Sequence, residues 1–320
     1  MKHAEQLVSD YGILPVLSVD QQEDAVPLAD ALAEGGLPLI EITLRTPEAL
    51  ASIRRIKSER PEMLVGAGTV TGFQKAEEAV AAGADFVVSP GYDEAVVQKC
   101  LERGVPVIPA CSTSSEVMRG AAAGLKILKF FPAEQLGGLK AVKLLAGPFP
   151  GVRFLPTGGI RSEQLAGYLR DDSIAACGGS FMAKKEDILE KRFDTIRSSC
   201  QRAMDASLGF ELAHVGINLE NEAEAFAAAS QFGERFRLPI KNGNSSVFAG
   251  RAVELMKFPY LGERGHIGFY TNSVRRALAF FKRKGIQVDE ATIKSDKAGM
   301  VSFYLHDPIA GFAVHVVRRP

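Results

Sequence analysis

The first two hundred or so residues alternate between two textures, and that alternation constrains the fold more than any other feature. Short apolar runs recur at 13–19 (ILPVLSV), 37–45 (LPLIEITLR), 63–70 (MLVGAGTV), 85–90 (DFVVSP), 106–113 (PVIPACST), 127–133 (ILKFFPA), 153–160 (RFLPTGGI) and 174–180 (IAACGGS). They read as strands. Between them lie Ala-, Leu- and Glu-rich segments with helical periodicity, such as TPEALASIRRIK and SEVMRGAAAGL. Thr46 before Pro47 predicts an N-cap with proline at the first helical position, and Ser115 with Glu116 predicts a weaker start. Eight strand–helix units in about 200 residues match the count and length of a (β/α)8 barrel. A doubly wound open sheet is the rival. The count of eight, with glycine pairs at the ends of the last two strands, favours the barrel.

From about residue 205 the texture changes. The stretch AHVGINLENEAEAFAAASQFG reads as a strand then a helix, and SSVFAG and AVELMKF follow as strands. GHIGFYTNSVRRALAFFKRKGIQV opens with a strand and a helix again, and VSFYLHDPIAGFAVHVV closes the chain. LAHVGINL and RGHIGFYT are one motif used twice, with His214 and His266 separated by 52 positions. That points to an internal duplication. The predicted class is therefore α/β: a (β/α)8 TIM barrel over 1–205, then a smaller α+β domain of paired βαβββ type over 206–320. VRRALAFFKRKG is basic on one side and reads as a solvated helix face.

Lys plus Arg and Asp plus Glu both number 38, so the formal net charge is zero. No overall field recruits nucleic acid or an anionic membrane surface. The start, MKHAEQLVSDYG, has no apolar core of signal-peptide length, and no run approaches the length of a membrane span. Cys100, Cys111, Cys177 and Cys200 lack metal-ligand spacing. The expectation is a cytoplasmic protein with reduced thiols, no nucleic-acid partner and no membrane partner.

A barrel enzyme works at the carboxyl ends of its strands, and polar groups within or ending the predicted strands are few. They are Glu41, Arg45, Thr69, Ser89, Ser112, Thr113 and Lys129, with Thr157 and Ser180 near the last two ends. Histidine is absent from residues 4–213, so proton transfer falls to a carboxylate. Glu41 is the one embedded in a predicted strand. Lys129 stands in the apolar run ILKFFPAE. An amine in such a setting can attack carbonyls and form a Schiff base, an electron sink for carbanion chemistry. The competing reading makes Lys129 a structural cation that snorkels to the barrel mouth, paired with Glu41. TGGI (157–160) and GGS (178–180) follow the last two strands, where barrels often bind phosphate on backbone amides. Tight turns alone also demand glycine. Arg45 and Thr69 could hold a carboxylate, Arg by a forked contact. GAGTVTG has the wrong spacing for a dinucleotide fingerprint.

Taken together, EITLRT (41–46), GAGTV (66–70), SPG (89–91), LKFFPAE (128–134), PTGGI (156–160) and GGS (178–180) resemble the 2-keto-3-deoxy-6-phosphogluconate / 4-hydroxy-2-oxoglutarate aldolase family over about residues 5–200. The resemblance implies a trimeric, imine-forming barrel that cleaves the phosphorylated sugar acid to pyruvate and glyceraldehyde 3-phosphate without a cofactor. It implies Lys129 as the Schiff-base lysine and Glu41 as general acid/base. It places Arg45 and Thr69 on the pyruvyl carboxylate, Pro90 and Phe131 on the pocket wall, and Gly158, Gly159, Gly179 and Ser180 on the phosphate. Two positions depart from the family pattern: Ser114 stands where proline is usual, and Phe181 where tryptophan is common. Both leave open whether the substrate is the phosphorylated acid or 4-hydroxy-2-oxoglutarate. A phosphosugar isomerase or synthase with the same phosphate loops is the alternative.

AHVGI, AVELMKF, GHIGFY and FYLHDPIAGFAVHVV resemble the vicinal oxygen chelate superfamily, the glyoxalase and dioxygenase fold. That resemblance implies a divalent metal site from one residue on each of four strands: His214, Glu254, His266 and His315. His315 departs from the usual Glu. A lyase, an isomerase, a ligand sensor and an assembly module all remain open for this domain.

Overall fold

The computed structural model describes residues 2–320. It divides into two compact units, one ending at Ser207 and the other beginning at Leu208.

The first unit alternates strand and helix throughout. Its strands are β1 (Ile13–Leu17), β2 (Leu39–Thr43), β3 (Leu64–Gly68), β4 (Phe86–Ser89), β5 (Val107–Pro109), β6 (Ile127–Phe130), β7 (Arg153–Pro156) and β8 (Cys177–Gly179). Helix α1 (Lys2–Tyr11) precedes them. Between and after them come α2 (Ala25–Glu34), α3 (Ala49–Glu59), α4 (Phe73–Ala81), α5 (Glu94–Glu102), α6 (Ser114–Ala122), α7 (Gly138–Ala146), α8 (Leu165–Leu169), α9 (Lys185–Leu189) and α10 (Phe193–Leu208). All strand pairs are parallel, and β1 pairs with both β2 and β8. Single bridges join β5 to β6 (Ala110 to Lys129) and β7 to β8 (Thr157 to Gly178), which closes the ring. The unit is a closed (β/α)8 barrel. Its strands are buried on both faces, which explains why they read as continuous apolar runs rather than alternating ones. Ile40 and Ile42, for example, have no exposed surface, and neither does Glu41 between them.

The strands end sooner than the sequence runs suggest. Residues 44–45, 69–70, 131–133 and 157–160 lie in the loops beyond them. Two helix starts are also corrected. Thr46 does not cap α3; its hydroxyl donates to Val19 O at 2.6 Å, and the helix begins three positions later at Ala49. Thr113, not Ser115, caps α6. Its side chain accepts from Glu116 N–H while the Glu116 carboxylate accepts from Thr113 N–H, a reciprocal capping box.

The second unit contains β9 (Glu211–Asn218), α11 (Glu222–Phe236), β10 (Ile240–Asn242), β11 (Ser246–Ala249) and β12 (Val253–Met256), then β13 (Gly265–Thr271), α12 (Val274–Arg283), β14 (Val288–Asp296), β15 (Gly299–Leu305) and β16 (Phe312–Arg318). This is βαβββ twice. The eight strands form one sheet in the order β10-β11-β12-β9-β13-β16-β15-β14. Each helix packs on its own repeat: α11 with Val247 and Leu255, α12 with Phe303 and Val316. The basic face of α12 is not wholly solvated, because Arg276 is buried. Among the described residues no helix is long and apolar enough to cross a membrane.

Candidate active site

Glu41 on β2 and Lys129 on β6 stand four strands apart around the ring, and their side chains meet in the barrel interior. Lys129 Nζ lies 3.2 Å from Glu41 Oε1, with 7% and 0% of the two side chains exposed. Removing two charges from water this completely is costly unless they face each other. Glu41 fits because of its neighbour on β3. A side chain at Gly68 would put its β-carbon 2.1 Å from Glu41 Oε1, so the glycine leaves the space the carboxylate fills. Glu41 Oε2 is buried with no hydrogen-bond partner. Such an acceptor is expensive to bury and marks a place where a bound molecule's proton donor is welcome.

The pair sits in a cavity of about 420 Å3 whose lining includes all ten residues expected at the barrel's site: Glu41, Arg45, Thr69, Pro90, Lys129, Phe131, Gly158, Gly159, Gly179 and Ser180. Each end has its own chemistry. At one end Arg45 Nε donates to Thr69 Oγ1 at 3.2 Å. Thr69 adopts φ 58°, a left-handed conformation that costs a β-branched residue about 1–3 kcal/mol. Strain of this size is kept where a side chain must be aimed, and here it directs the Thr69 hydroxyl beside the guanidinium. At the other end Gly158 (φ 102°) and Gly159 (φ 80°) turn the loop after β7. A side chain on Gly158 would meet the Phe131 ring at 3.3 Å. Lys129 Nζ lies 5.6 Å from the centre of that ring.

The family model for KDPG and KHG aldolases matches residues 4–199. The chain belongs to the KDPG and KHG aldolase family. A 2-dehydro-3-deoxy-phosphogluconate aldolase from Treponema pallidum is 43% identical over 192 residues, 60% of this chain and 91% of the relative. The KHG/KDPG aldolase of Escherichia coli K12 is 42% identical over 204 residues, 64% of this chain and 96% of the relative. A crystal structure of the Legionella pneumophila KDPG aldolase, with pyruvate captured as a covalent carbinolamine, superposes with a TM-score of 0.61 at 36% identity, covering 63% of this chain and 98% of that one.

The cavity also contains residues that were given no site role from the sequence: Val16, Thr157, Ile160, Phe181 and Lys184. Val16 could have been found by aligning strands, since it stands opposite Glu41 in the β1–β2 register. Thr157 lies in sequence between a strand and a glycine pair. Lys184 carried no signal, being the first of two adjacent exposed lysines after the eighth strand.

In the second unit the four expected ligand residues come together. His214 is on β9, Glu254 on β12, His266 on β13 and His315 on β16, which are four consecutive strands in the sheet order. His214 Nε2 is 3.2 Å from His266 Nε2 and 3.0 Å from His315 Nε2. Glu254 Oε2 is 3.1 Å from His266 Nε2 and 3.3 Å from His214 Nε2. Ser246 Oγ donates to the other carboxylate oxygen at 2.6 Å. The glycines of the repeated His-x-Gly clear the space. Gly216 faces both Glu254 and His266, and Gly268 faces both His214 and His315. A β-carbon at 216 would lie 2.0 Å from the His266 ring, and one at 268 would lie 2.6 Å from His315 Nε2.

Electrostatics favour deprotonated donors here. Burial, helped by His214 and His266, pushes His315 down to about 3, and burial also lowers His214. Burial pushes the Glu254 carboxyl up, but hydrogen bonds from His266 and Ser246 and the nearby imidazoles outweigh it, so Glu254 titrates below the ordinary carboxylate range. Three imidazole nitrogens within 4.8 Å of one another, with the Glu254 carboxylate beside two of them, are a donor set of the kind that holds Zn, Ni, Fe or Mn.

Proposed function

We propose that the barrel is an imine-forming aldehyde-lyase that cleaves 2-keto-3-deoxy-6-phosphogluconate to pyruvate and glyceraldehyde 3-phosphate, with 4-hydroxy-2-oxoglutarate, giving pyruvate and glyoxylate, as a second substrate. The observation that carries this reading is the buried Lys129–Glu41 pair, 3.2 Å apart in a cavity flanked by glycine loops. A phosphosugar isomerase or synthase needs the loops but not the amine.

In this reading Lys129 Nζ adds to the C2 carbonyl of the keto acid, and the carbinolamine loses water to give an iminium. The C3–C4 bond then breaks. Its electrons flow into the iminium to leave an enamine, while the C4 hydroxyl loses its proton and departs as the aldehyde. Protonation of C3 gives the pyruvate imine, and water releases pyruvate and regenerates Lys129. Glu41 is the one carboxylate lining the cavity among the described residues, so the proton steps fall to it. Arg45 and Thr69 bind the C1 carboxylate; Pro90 and Phe131 wall the pocket; Gly158, Gly159, Gly179 and Ser180 receive the phosphate.

Borohydride reduction in the presence of pyruvate tests this directly. Pyruvate mass should appear on the peptide carrying Lys129; an unmodified peptide refutes the reading. Glu41→Gln should still bind pyruvate but lose exchange of its methyl protons by about 10²–10⁴-fold. Cleavage should survive EDTA, and loss of cleavage with the chelator would point instead to a metal-stabilised enolate.

For the second unit we infer a divalent metal centre held by His214, Glu254, His266 and His315. Such an ion supplies Lewis acidity toward an oxygen ligand. Ser246 holds the Glu254 carboxylate with Oε2 beside His214 and His266. Zinc titration of the full chain should give one site, abolished in His266→Ala. A chain that takes up no ion would make this unit a binding or assembly module. Cytoplasmic placement and a homotrimeric assembly complete the proposal, the latter checked by light scattering.

A further inference from the structure

We propose that Glu134 is a positioning residue for the phosphate end of the substrate, a latch that keeps the segment from Thr157 to Gln164 shaped to receive a phosphate dianion. This rests on the aldolase reading above.

Glu134 lies just beyond β6, the strand that carries Lys129. Its backbone N–H donates to Gly158 O at 3.1 Å, and Ala133 N–H donates to Thr157 O at 2.8 Å. Two main-chain bonds therefore join the loop after β6 to the loop after β7. The side chain ties the far end of the same segment. Gln164 Nε2 donates to Glu134 Oε2 at 2.7 Å, and the Tyr168 hydroxyl donates to Oε1. Gln164 is itself fixed, because its Oε1 accepts Arg161 N–H at 2.9 Å. One residue thus holds both ends of the segment that contains the glycine pair. The contact is close throughout: a β-carbon on Gly159 would lie 2.9 Å from Glu134 Cβ, so the glycine packs directly on the latch.

The charge fits this role and no contact role. A carboxylate facing a phosphate repels it. Glu134 does not line the active cavity. It lines a separate, shallow one with Gln164 and Tyr168. Both carboxylate oxygens are taken by donors on that side. Burial and the Glu134 contact push the Tyr168 hydroxyl up, so it keeps its proton and remains a donor. Glu134 therefore acts on substrate through Gly158 and Gly159. Of the groups assigned to the keto-acid end, Arg45, Thr69 and Glu41 lie on other strands or their ends, and Lys129 is held within the β6 ladder, opposite Leu155 on β7 and bridged to Ala110 after β5. Loss of the latch should be felt by the phosphate alone.

The test compares both keto acids on the full chain, as parent, Glu134→Ala, Gln164→Ala and the double variant. For the phosphorylated six-carbon acid, KM should rise about 10- to 100-fold in Glu134→Ala, the scale of a displacement near 1 Å. KM for 4-hydroxy-2-oxoglutarate and borohydride trapping of pyruvate on Lys129 should stay at parent values. The double variant should be no worse than Glu134→Ala, since both changes open one latch. Equal losses on the two substrates, an unchanged KM for the phosphorylated acid, or additive losses in the double variant would each overturn the proposal. Gln164→Ala alters a half-buried polar contact and carries the same prediction should Glu134→Ala fail to fold. A parent chain that traps no pyruvate would instead overturn the aldolase reading.

Discussion

Replacing Gly68 with alanine should disable the barrel without touching any residue assigned to chemistry. The new methyl would lie 2.1 Å from Glu41 Oε1 and 2.7 Å from its Cδ and Cγ. Carbon contacts are comfortable at about 3.5–4.0 Å, so roughly 1 Å must be found. The backbone cannot supply it cheaply, because Gly68 is in register with Thr43 and the whole of β2 and β3 is laddered. The Glu41 carboxyl must move instead, out of its present position against Gly68. Two costs follow. Overpacking should lower stability by about 1–3 kcal/mol. A carboxylate displaced by about 1 Å should lower kcat roughly 100-fold, within the 10²–10⁴-fold that acid–base catalysis supplies in total. Retro-aldol turnover followed by pyruvate release gives kcat, and a thermal melt of the same preparation gives stability. A folded Gly68→Ala with kcat within about threefold of the parent would show that Glu41 placement does not limit the reaction.

Three further outcomes are expected. Gly268→Ala should weaken zinc binding to the full chain by about 10- to 100-fold in calorimetric titration, because its methyl would meet His315 Nε2 at 2.6 Å and His214 Cε1 at 2.7 Å; turnover of the barrel should not change. Burial holds the Cys100 thiol up at about 11 and those of Cys111 and Cys200 at about 12, so a disulfide reagent at neutral pH should label these three only after denaturation. At Asp171, burial pushes the carboxyl up, but Ser173 and Lys143 outweigh it and hold it below the ordinary range. A lowered carboxylate adds stability above its unfolded pKa and loses it as pH falls through the folded one. Asp171→Asn should therefore cost about 1–2 kcal/mol near neutrality in urea unfolding, and the gap from the parent should close below about pH 4.

The barrel was legible because its strands are buried on both faces and its helices on one, and those two patterns differ in period. Lys129 and Glu41 stood out as the polar exceptions in apolar runs. Strand ends were harder to read. The residues that leave the sheet at the mouth, 69–70 and 157–160, are small or β-branched like those within it, and most of them line the cavity rather than face water. Glu134, Gln164 and Tyr168 gave no signal. Their meaning lies in a contact across 30 and 34 positions, and a Glu before a helix is otherwise ordinary. In the second unit, the motif used twice marked the duplication and put His214 and His266 in corresponding places. Glu254 in AVELMKF was identified by resemblance alone.

Gly216 and Gly268 also describe how the second unit is put together. Pairing β9 with β13 sets Gly216 against His266 and Gly268 against His214, so each repeat offers a hollow that the other repeat's imidazole fills. This reciprocal pattern is what a two-fold axis makes between identical subunits. Here a peptide link has made the two partners one chain. Neither half alone contains more than two of the four clustered residues, and His214 and His266 each sit over the other half's glycine. The halves must therefore form together, and the unit should melt as one cooperative body rather than repeat by repeat.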